Sequence, residues 1–193
     1  MKNARVPSSR FAFTLVEFIA ALVVVSVIGL FGAMTLQRAG AANTQVAARA
    51  AVYADASALM DRLIRKVQST PLRTADTVPA FAGFTVTSLT WDDGSALAYN
   101  ANGQRVTLID VPAGDSTSVT APILADSLTS FTMAAYDQSN VNLLTSLGVT
   151  SLTATQGGTI RRVEIQFTMT RQGQSVTLRS RAFPRCALAR AGS

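Results

Sequence analysis

An uncharged run of 19 residues, at positions 18–36, constrains this chain more than any other feature of its sequence. As an α-helix, such a run is about 28 Å long, which is enough to cross the hydrocarbon core of a membrane. Three basic residues precede it with no acidic residue among them, Lys2, Arg5 and Arg10, whereas only Arg38 follows closely. That asymmetry predicts a single span with a cytoplasmic N-terminus and with the remainder of the chain outside.

Composition excludes several kinds of catalytic and metal site. The chain has no His and a single Cys, Cys186. This removes nucleophile systems that depend on His, zinc sites with His ligands, Cys-rich metal sites and internal disulfides. The glycines form no phosphate-binding motif. The sequence therefore predicts a non-enzymatic protein with no metal and no cofactor, in which Cys186 is a structural or incidental thiol.

One acidic residue, Glu17, lies at the leading edge of the apolar run. An unpaired carboxylate in the apolar phase costs roughly 2.5 kcal/mol or more, so a plain membrane anchor leaves Glu17 unexplained. A secretory signal peptide would have a shorter apolar stretch, even though Ala39-Gly40-Ala41 matches its usual cleavage pattern. Glu17 therefore indicates a function beyond anchoring.

The residues that lead to Glu17 carry a resemblance to a known family. The run AFTLVE at positions 12–17, behind a short basic leader, resembles the prepilin signature of type IV pilins and type II secretion pseudopilins. The resemblance implies that a membrane prepilin peptidase cuts between Ala12 and Phe13, and that Phe13 becomes the N-methylated terminus. Glu17 is then the fifth mature residue. The family usually has Gly before the cut, so Ala12 predicts slower processing.

Charge pairing gives Glu17 a role in assembly. After cleavage, the new ammonium group of Phe13 and the carboxylate of Glu17 are both costly in lipid, and each can neutralise the other. In a stack of subunits, we expect Glu17 of one chain to meet the terminal amine of a neighbour. That pairing would set the axial register of the stack.

Small residues within the span suggest a second assembly feature. Ser26, Gly29 and Gly32 are spaced by three. Small side chains let helices approach closely in a membrane, which favours packing against neighbouring subunits. Ordinary membrane-helix composition explains the same residues equally well.

The fold class predicted is α+β with a pilin-like layout, a long N-terminal helix followed by an antiparallel β head. The expected parts are a leader at 1–12, a transmembrane helix at 13–37, an amphipathic continuation at 38–70 and a β-rich head at 71–193. Apolar residues recur at steps of three or four in the continuation and predict one stripe that packs on the head: Val46, Ala50, Tyr53, Ser57, Met60, Ile64 and Val67. Pro71 is expected to end the helix.

Residues after Pro71 are rich in Thr, Ser, Val and Gly, which is typical of strands and turns. Turns are expected at Asn102-Gly103 and Gln172-Gly173. In the last hairpin, alternation predicts one buried and one polar face. The order of segments is similar to the heads of W-type minor pilins and J-type pseudopilins. The predicted strands are 84–90, 96–99, 105–111, 127–136, 162–170 and 175–183.

The C-terminal part of the chain is strongly basic. Residues 159–193 hold seven Arg and one acidic residue, Glu164. Such a segment could bind nucleic acid, although Phe167 and Phe183 are its only aromatic residues for base stacking. It could equally face solvent or an acidic neighbouring subunit. The residues expected to form the basic surface are Arg162, Arg179, Arg181 and Arg185.

Together these features predict a minor pilin or pseudopilin, a processed structural subunit of a type IV pilus or type II secretion pseudopilus. It would be stored in the bacterial inner (cytoplasmic) membrane as a single-pass protein with its head outside. The resemblance implies as partners the membrane, the prepilin peptidase and other pilin or pseudopilin subunits, and indirectly an assembly platform protein and ATPase. Two alternatives stay open: an uncleaved membrane-anchored binding module, and a DNA-uptake pilin that binds DNA through its Arg-rich tail.

Overall fold

The computed structural model describes residues 14–73, 78–109 and 122–188. The chain divides into two compact units, one that ends at Val46 and one that begins at Ala47. Helix α1 (Leu15–Gln68) contains residues of both units. The architecture is α+β, with a long apolar N-terminal helix and two antiparallel sheets. This confirms the fold class at that level of detail.

The first unit is the apolar part of α1. Every described residue from Thr14 to Val46 is exposed. By its length and composition, α1 could cross a membrane once. An α-helix satisfies its own backbone hydrogen bonds, and for that reason it is a form in which an apolar segment can enter lipid.

The remainder of α1 contributes a stripe of side chains to the core of the second unit. Its position corrects the predicted stripe: Met60 and Val67 are buried as expected, but Val46 and Tyr53 are 68% and 56% exposed. This Ala-rich segment has two neighbouring apolar stripes. The head covers the stripe that contains Leu59 and Leu63. The buried residues are Val52, Ala56, Leu59, Met60, Leu63 and Val67. The helix ends at Gln68, before Pro71.

The larger sheet has six strands in the order β5-β4-β3-β2-β1-β7, with each neighbouring pair antiparallel. The smaller sheet has the order β6-β8-β9 and is also antiparallel. The strands are β1 (Phe81–Thr85), β2 (Ser88–Trp91), β3 (Ala96–Asn100), β4 (Arg105–Ile109), β5 (Ile123–Ala125), β6 (Leu128–Tyr136), β7 (Ser151–Leu152), β8 (Arg162–Arg171) and β9 (Gln174–Ala182). Three short helices are α2 (Leu143–Leu147), α3 (Ala154–Gly157) and α4 (Arg185–Leu188).

Five predicted strands are confirmed as β3, β4, β6, β8 and β9, although the end of the third prediction, residues 110–111, lies outside the described residues. The single strand predicted at 84–90 is wrong, because a turn divides it into β1 and β2. The hydroxyl of Thr85 accepts hydrogen bonds from the backbone N–H groups of Thr87 and Ser88, at 3.2 and 2.8 Å. A Thr side chain that satisfies nearby amides stabilises a turn against continued strand.

The turn between β8 and β9 has the expected left-handed backbone. Gln172 and Gly173 have φ angles of 50° and 73°. Positive φ at both central residues matches the twist of a two-residue hairpin. The register that follows from this turn places the buried apolar side chains of both strands on one face of the sheet, which confirms the two-faced hairpin.

One core joins the helix stripe to both sheets. On the inner face of the three-stranded sheet, β8 contributes four fully buried residues to this core: Val163, Ile165, Phe167 and Met169. Near the end of α1, the indole N–H of Trp91 donates to the hydroxyl of Thr70 at 2.9 Å, and Lys66 Nζ lies 5.1 Å from the centre of the indole ring. Because the inner face of β8 is committed to the core, its outer face carries the polar side chains.

Candidate functional site

The start of α1 brings two residues of the AFTLVE run together. Thr14 precedes the helix, and its hydroxyl accepts a hydrogen bond from the backbone N–H of Glu17 at 3.3 Å. The backbone carbonyl of Thr14 also accepts from the N–H of Phe18 at 3.1 Å. A Thr three residues before a Glu is the pattern of a helix capping box. The Thr and Glu of the motif therefore lie where the helix begins.

Glu17 lies in the first turn of α1, where the positive end of the helix dipole favours a carboxylate. The Glu17 carboxylate forms no hydrogen bond or ion pair with the described residues. The start of the helix therefore accommodates the negative charge of Glu17. The Glu17 carboxylate itself remains available to bind a cation.

The small residues of the span lie on an exposed part of α1. The hydroxyl of Ser26 donates to the carbonyl of Leu22 at 2.7 Å, so it is satisfied within its own helix. A side chain built at Gly29 or Gly32 would meet no atom within 4 Å. Both glycines are open in the described chain, and their packing role stays a prediction.

A second candidate region is the outer face of the three-stranded sheet. Three successive rows across this face each contain one arginine. Tyr136 pairs with Arg162, the row Ala134–Glu164–Arg181 follows, and Thr132–Gln166–Arg179 comes next. Side chains on one face of a strand are separated by about 7 Å along it. We call the four residues Arg162, Arg179, Arg181 and Glu164 the arginine cluster.

Glu164 joins two members of the arginine cluster. Arg179 Nε donates to Glu164 Oε1 at 2.6 Å, and Arg179 Nη2 forms an ion pair with the same oxygen. Arg181 Nε donates to the other oxygen, Oε2, at 3.0 Å. The Glu164 side chain is only 9% exposed, whereas both arginine side chains are 57% exposed. The two guanidiniums therefore cover the carboxylate and face solvent themselves.

The pKa of Glu164 reflects two opposing effects. Burial of the carboxylate is the largest of them and acts to raise the pKa. The hydrogen bonds from Arg179 and Arg181, together with their charges, outweigh burial and hold the pKa below its ordinary value of 4.5. Glu164 is therefore ionised at neutral pH, and its ion pairs stabilise the folded head.

We expect the stabilising contribution of Glu164 to depend on pH. A folded-state pKa below the unfolded value means that the contribution is complete well above pH 4.5 and is lost as the pH falls below it. Glu164→Gln should therefore destabilise the chain at pH 7 and have little effect once the carboxyl is protonated. Urea unfolding of both chains, monitored by the fluorescence of the single Trp, Trp91, checks this. A difference in stability that grows as the pH is lowered would contradict it.

Arg162 has a different environment from the other two arginines. Its guanidinium lies 4.0 Å from the centre of the Tyr136 ring, in a cation–π contact. Its Nε is buried and has no hydrogen-bond partner among the described residues. Arg185, the fourth arginine of the predicted surface, is exposed at the start of α4. Of the four arginines in the predicted basic surface, Arg179 and Arg181 are therefore paired with Glu164, whereas Arg162 and Arg185 are not.

Arg171 belongs to the same basic segment but has a structural role. It forms ion pairs with Asp55 of α1 and with Asp126, which precedes β6. The hydrogen bond from Arg171 is the main reason that the pKa of Asp126 lies below its ordinary value. These groups line a cleft of about 510 Å³ within the second unit. Arg171 therefore connects the end of β8 to the helix and to the segment between β5 and β6, and it is not part of the arginine cluster.

Several predicted site residues cannot be placed. Lys2, Arg5, Arg10, Ala12 and Phe13 lie outside the described residues.

Sequence reasoning missed two residues that shape these regions, Thr14 as a helix cap and Tyr136 beneath Arg162. The spacing of Thr14 and Glu17 was a signal for the first. The pairing of Tyr136 with Arg162 depends on the register between β6 and β8, which cannot be read directly from the sequence.

The groups in these two regions are carboxylates, guanidiniums and the start of a helix. All of them form ion pairs and charge-assisted hydrogen bonds, which suits them to binding. Comparisons of the chain with protein-family models, with curated proteins and with solved structures give no match.

Proposed function

We propose that the chain is a minor subunit of a type IV pilus or type II secretion pseudopilus. In this proposal it waits in the inner membrane as a single-pass protein, loses residues 1–12 to a prepilin peptidase, and is packed into a filament. The apolar helices form the filament core, and the heads form its surface. Other subunits surround it, while a platform protein and an ATPase drive assembly.

The observation that carries the proposal is the position of Thr14 and Glu17, from the described part of the AFTLVE run, at the start of a long, exposed, apolar helix. Glu17 begins that helix with a carboxylate that no described residue neutralises. An isolated charge at the edge of an apolar segment is costly in lipid and calls for a cation. Cleavage before Phe13 would supply one.

The chemistry of the new N-terminus supports the pairing between subunits. Phe13 lies one residue before Thr14, so its ammonium would be placed at the positive end of the helix dipole, where a cation is disfavoured. A carboxylate from a neighbouring subunit would offset both that repulsion and the loss of hydration. Each subunit would then supply one carboxylate and receive another, which fixes its axial position in the stack.

Processing tests the proposal directly. Co-expression with a prepilin peptidase should convert the chain to a product that begins at N-methylated Phe13, as read by mass spectrometry of the N-terminal peptide. Because the peptidase family prefers Gly before the cut, Ala12→Gly should be processed faster than the wild-type chain. Phe13→Ala is the matched variant, because the sequence of the leader, residues 1–12, is unchanged and only the residue after the cut is altered.

Two results would contradict the proposal. A chain that keeps Met1 in the presence of active peptidase would favour the uncleaved, membrane-anchored binding module. Cleavage after Ala41 would instead identify a secretory signal peptide. A known prepilin expressed in the same cells shows that the peptidase is active.

A further inference from the structure

We propose that the arginine cluster on the outer face of the three-stranded sheet is a docking site for an acidic segment of a protein partner. The site is a surface of the head, separate from the membrane helix and from the cleavage site. It therefore goes beyond the proposed function and stands whether or not the chain is processed.

The first argument is that Glu164 holds two arginines in place before any partner arrives. Arg179 and Arg181 each donate through Nε to one oxygen of the same carboxylate. Long, flexible side chains normally lose conformational entropy when they bind, and this loss weakens the complex. Because Glu164 already fixes both guanidiniums, most of that loss has occurred within the folded chain.

The second argument is that donors are left over. A guanidinium has five N–H donors in a planar fork that matches a carboxylate. Arg181 uses Nε for Glu164, and its Nη1 and Nη2 donate to none of the described residues. The side chains of Arg179 and Arg181 are both more than half exposed, so these remaining donors are accessible to a partner.

The third argument concerns the sign and spread of charge. The cluster has three cations and one anion on three successive rows of one sheet face, which leaves an excess of two positive charges. This gives a compact positive surface suited to one or two carboxylates. A nucleic acid would need a longer track of cations and exposed aromatic faces for stacking. Here the face of the Tyr136 ring nearest the cluster is covered by Arg162, so it offers no free surface for base stacking.

The experiment uses the full chain in an uncharged detergent at low ionic strength, with a fluorescein-labelled hexaglutamate peptide as the probe. Fluorescence anisotropy should show saturable binding of hexaglutamate and none of hexaglutamine. Arg179→Gln and Arg181→Gln should each weaken binding about tenfold, because each removes a charge-assisted hydrogen-bond donor. Arg105→Gln, which removes an exposed arginine of β4 outside the cluster, should leave the affinity unchanged.

Glu164→Gln separates a built site from a diffuse positive charge. If Glu164 positions the arginines, this variant should bind hexaglutamate several-fold more weakly, even though the face gains one net positive charge. Simple attraction between charges predicts the opposite, namely tighter binding. The fluorescence of Trp91 and the circular dichroism of each variant establish that it is folded before its affinity is compared.

Three outcomes would overturn the proposal. One is the absence of hexaglutamate binding by the wild-type chain at low ionic strength. Another is tighter binding by Glu164→Gln, or an equal loss in Arg105→Gln. The third is that a short oligothymidylate with the same number of charges binds more tightly than hexaglutamate and loses affinity in Arg179→Gln and Arg181→Gln, which would assign the cluster to nucleic acid instead.

Discussion

Replacing Glu17 by Ala should leave processing at Phe13 intact and abolish entry of the chain into filaments. In the proposed function, the peptidase would cut before Phe13, and the carboxylate would be needed only later, when a neighbouring ammonium is neutralised in the apolar core. Leaving one member of a buried ion pair without its partner costs about 3–5 kcal/mol, which corresponds to a loss of more than a hundredfold in the association constant. The measurement compares the variant and wild-type chains in the sheared filament fraction of cells that carry the assembly machinery.

A second variant separates the charge of Glu17 from the length of its side chain. The hydrogen bond to Thr14 comes from the backbone N–H of Glu17, so it does not depend on the side chain at position 17. Glu17→Gln keeps a polar side chain of the same length in the first turn but removes the charge, and under charge pairing it should fail to assemble in the same way as Glu17→Ala. Wild-type amounts of Glu17→Ala in filaments, from a fully processed chain, would refute charge pairing.

Replacing Leu63 by Ala should lower the free energy of unfolding of the head by about 2–5 kcal/mol. Leu63 is 1% exposed and lies in the middle of the buried stripe of α1. Its truncation removes apolar contacts and leaves a cavity between the helix and the sheets. Urea unfolding in an uncharged detergent, monitored by Trp91, measures the change, since Trp91 is itself buried in the same core.

Tyr53→Ala is the matched control for this prediction. Tyr53 belongs to the stripe that the sequence predicted to be buried, yet it is 56% exposed. An exposed substitution away from special features changes stability by about 0.5 kcal/mol or less. A larger loss in Tyr53→Ala than in Leu63→Ala would mean that the helix presents its other stripe to the head.

These two residues also illustrate how far the sequence could predict the fold. The long strands β8 and β9 were predictable because apolar and polar residues alternate along them, and a turn at Gln172-Gly173 fixes their register. On α1, by contrast, alanines separate two apolar stripes of similar strength. Which stripe is buried depends on the sheets that pack against it, and these are distant in sequence.

The short elements were not predictable for a related reason. Strands β5 and β7 have three and two residues, too few to show a period, and they form only because a neighbouring strand supplies hydrogen-bond partners. The turn between β1 and β2 depends on the Thr85 hydroxyl rather than on Gly or Pro. Glu164 was assigned to the polar face, but its burial beneath Arg179 and Arg181 follows from strand pairing.

The position of β9 at the edge of its sheet has a consequence for aggregation of the chain. Within the described residues, β9 pairs only with β8, so one side of it presents backbone groups to which another chain could add a strand. Charged side chains along an edge strand discourage such pairing, because two like edges repel each other. Arg179 and Arg181 lie on this strand, and their charges would therefore keep copies of the head from pairing edge to edge at high concentration.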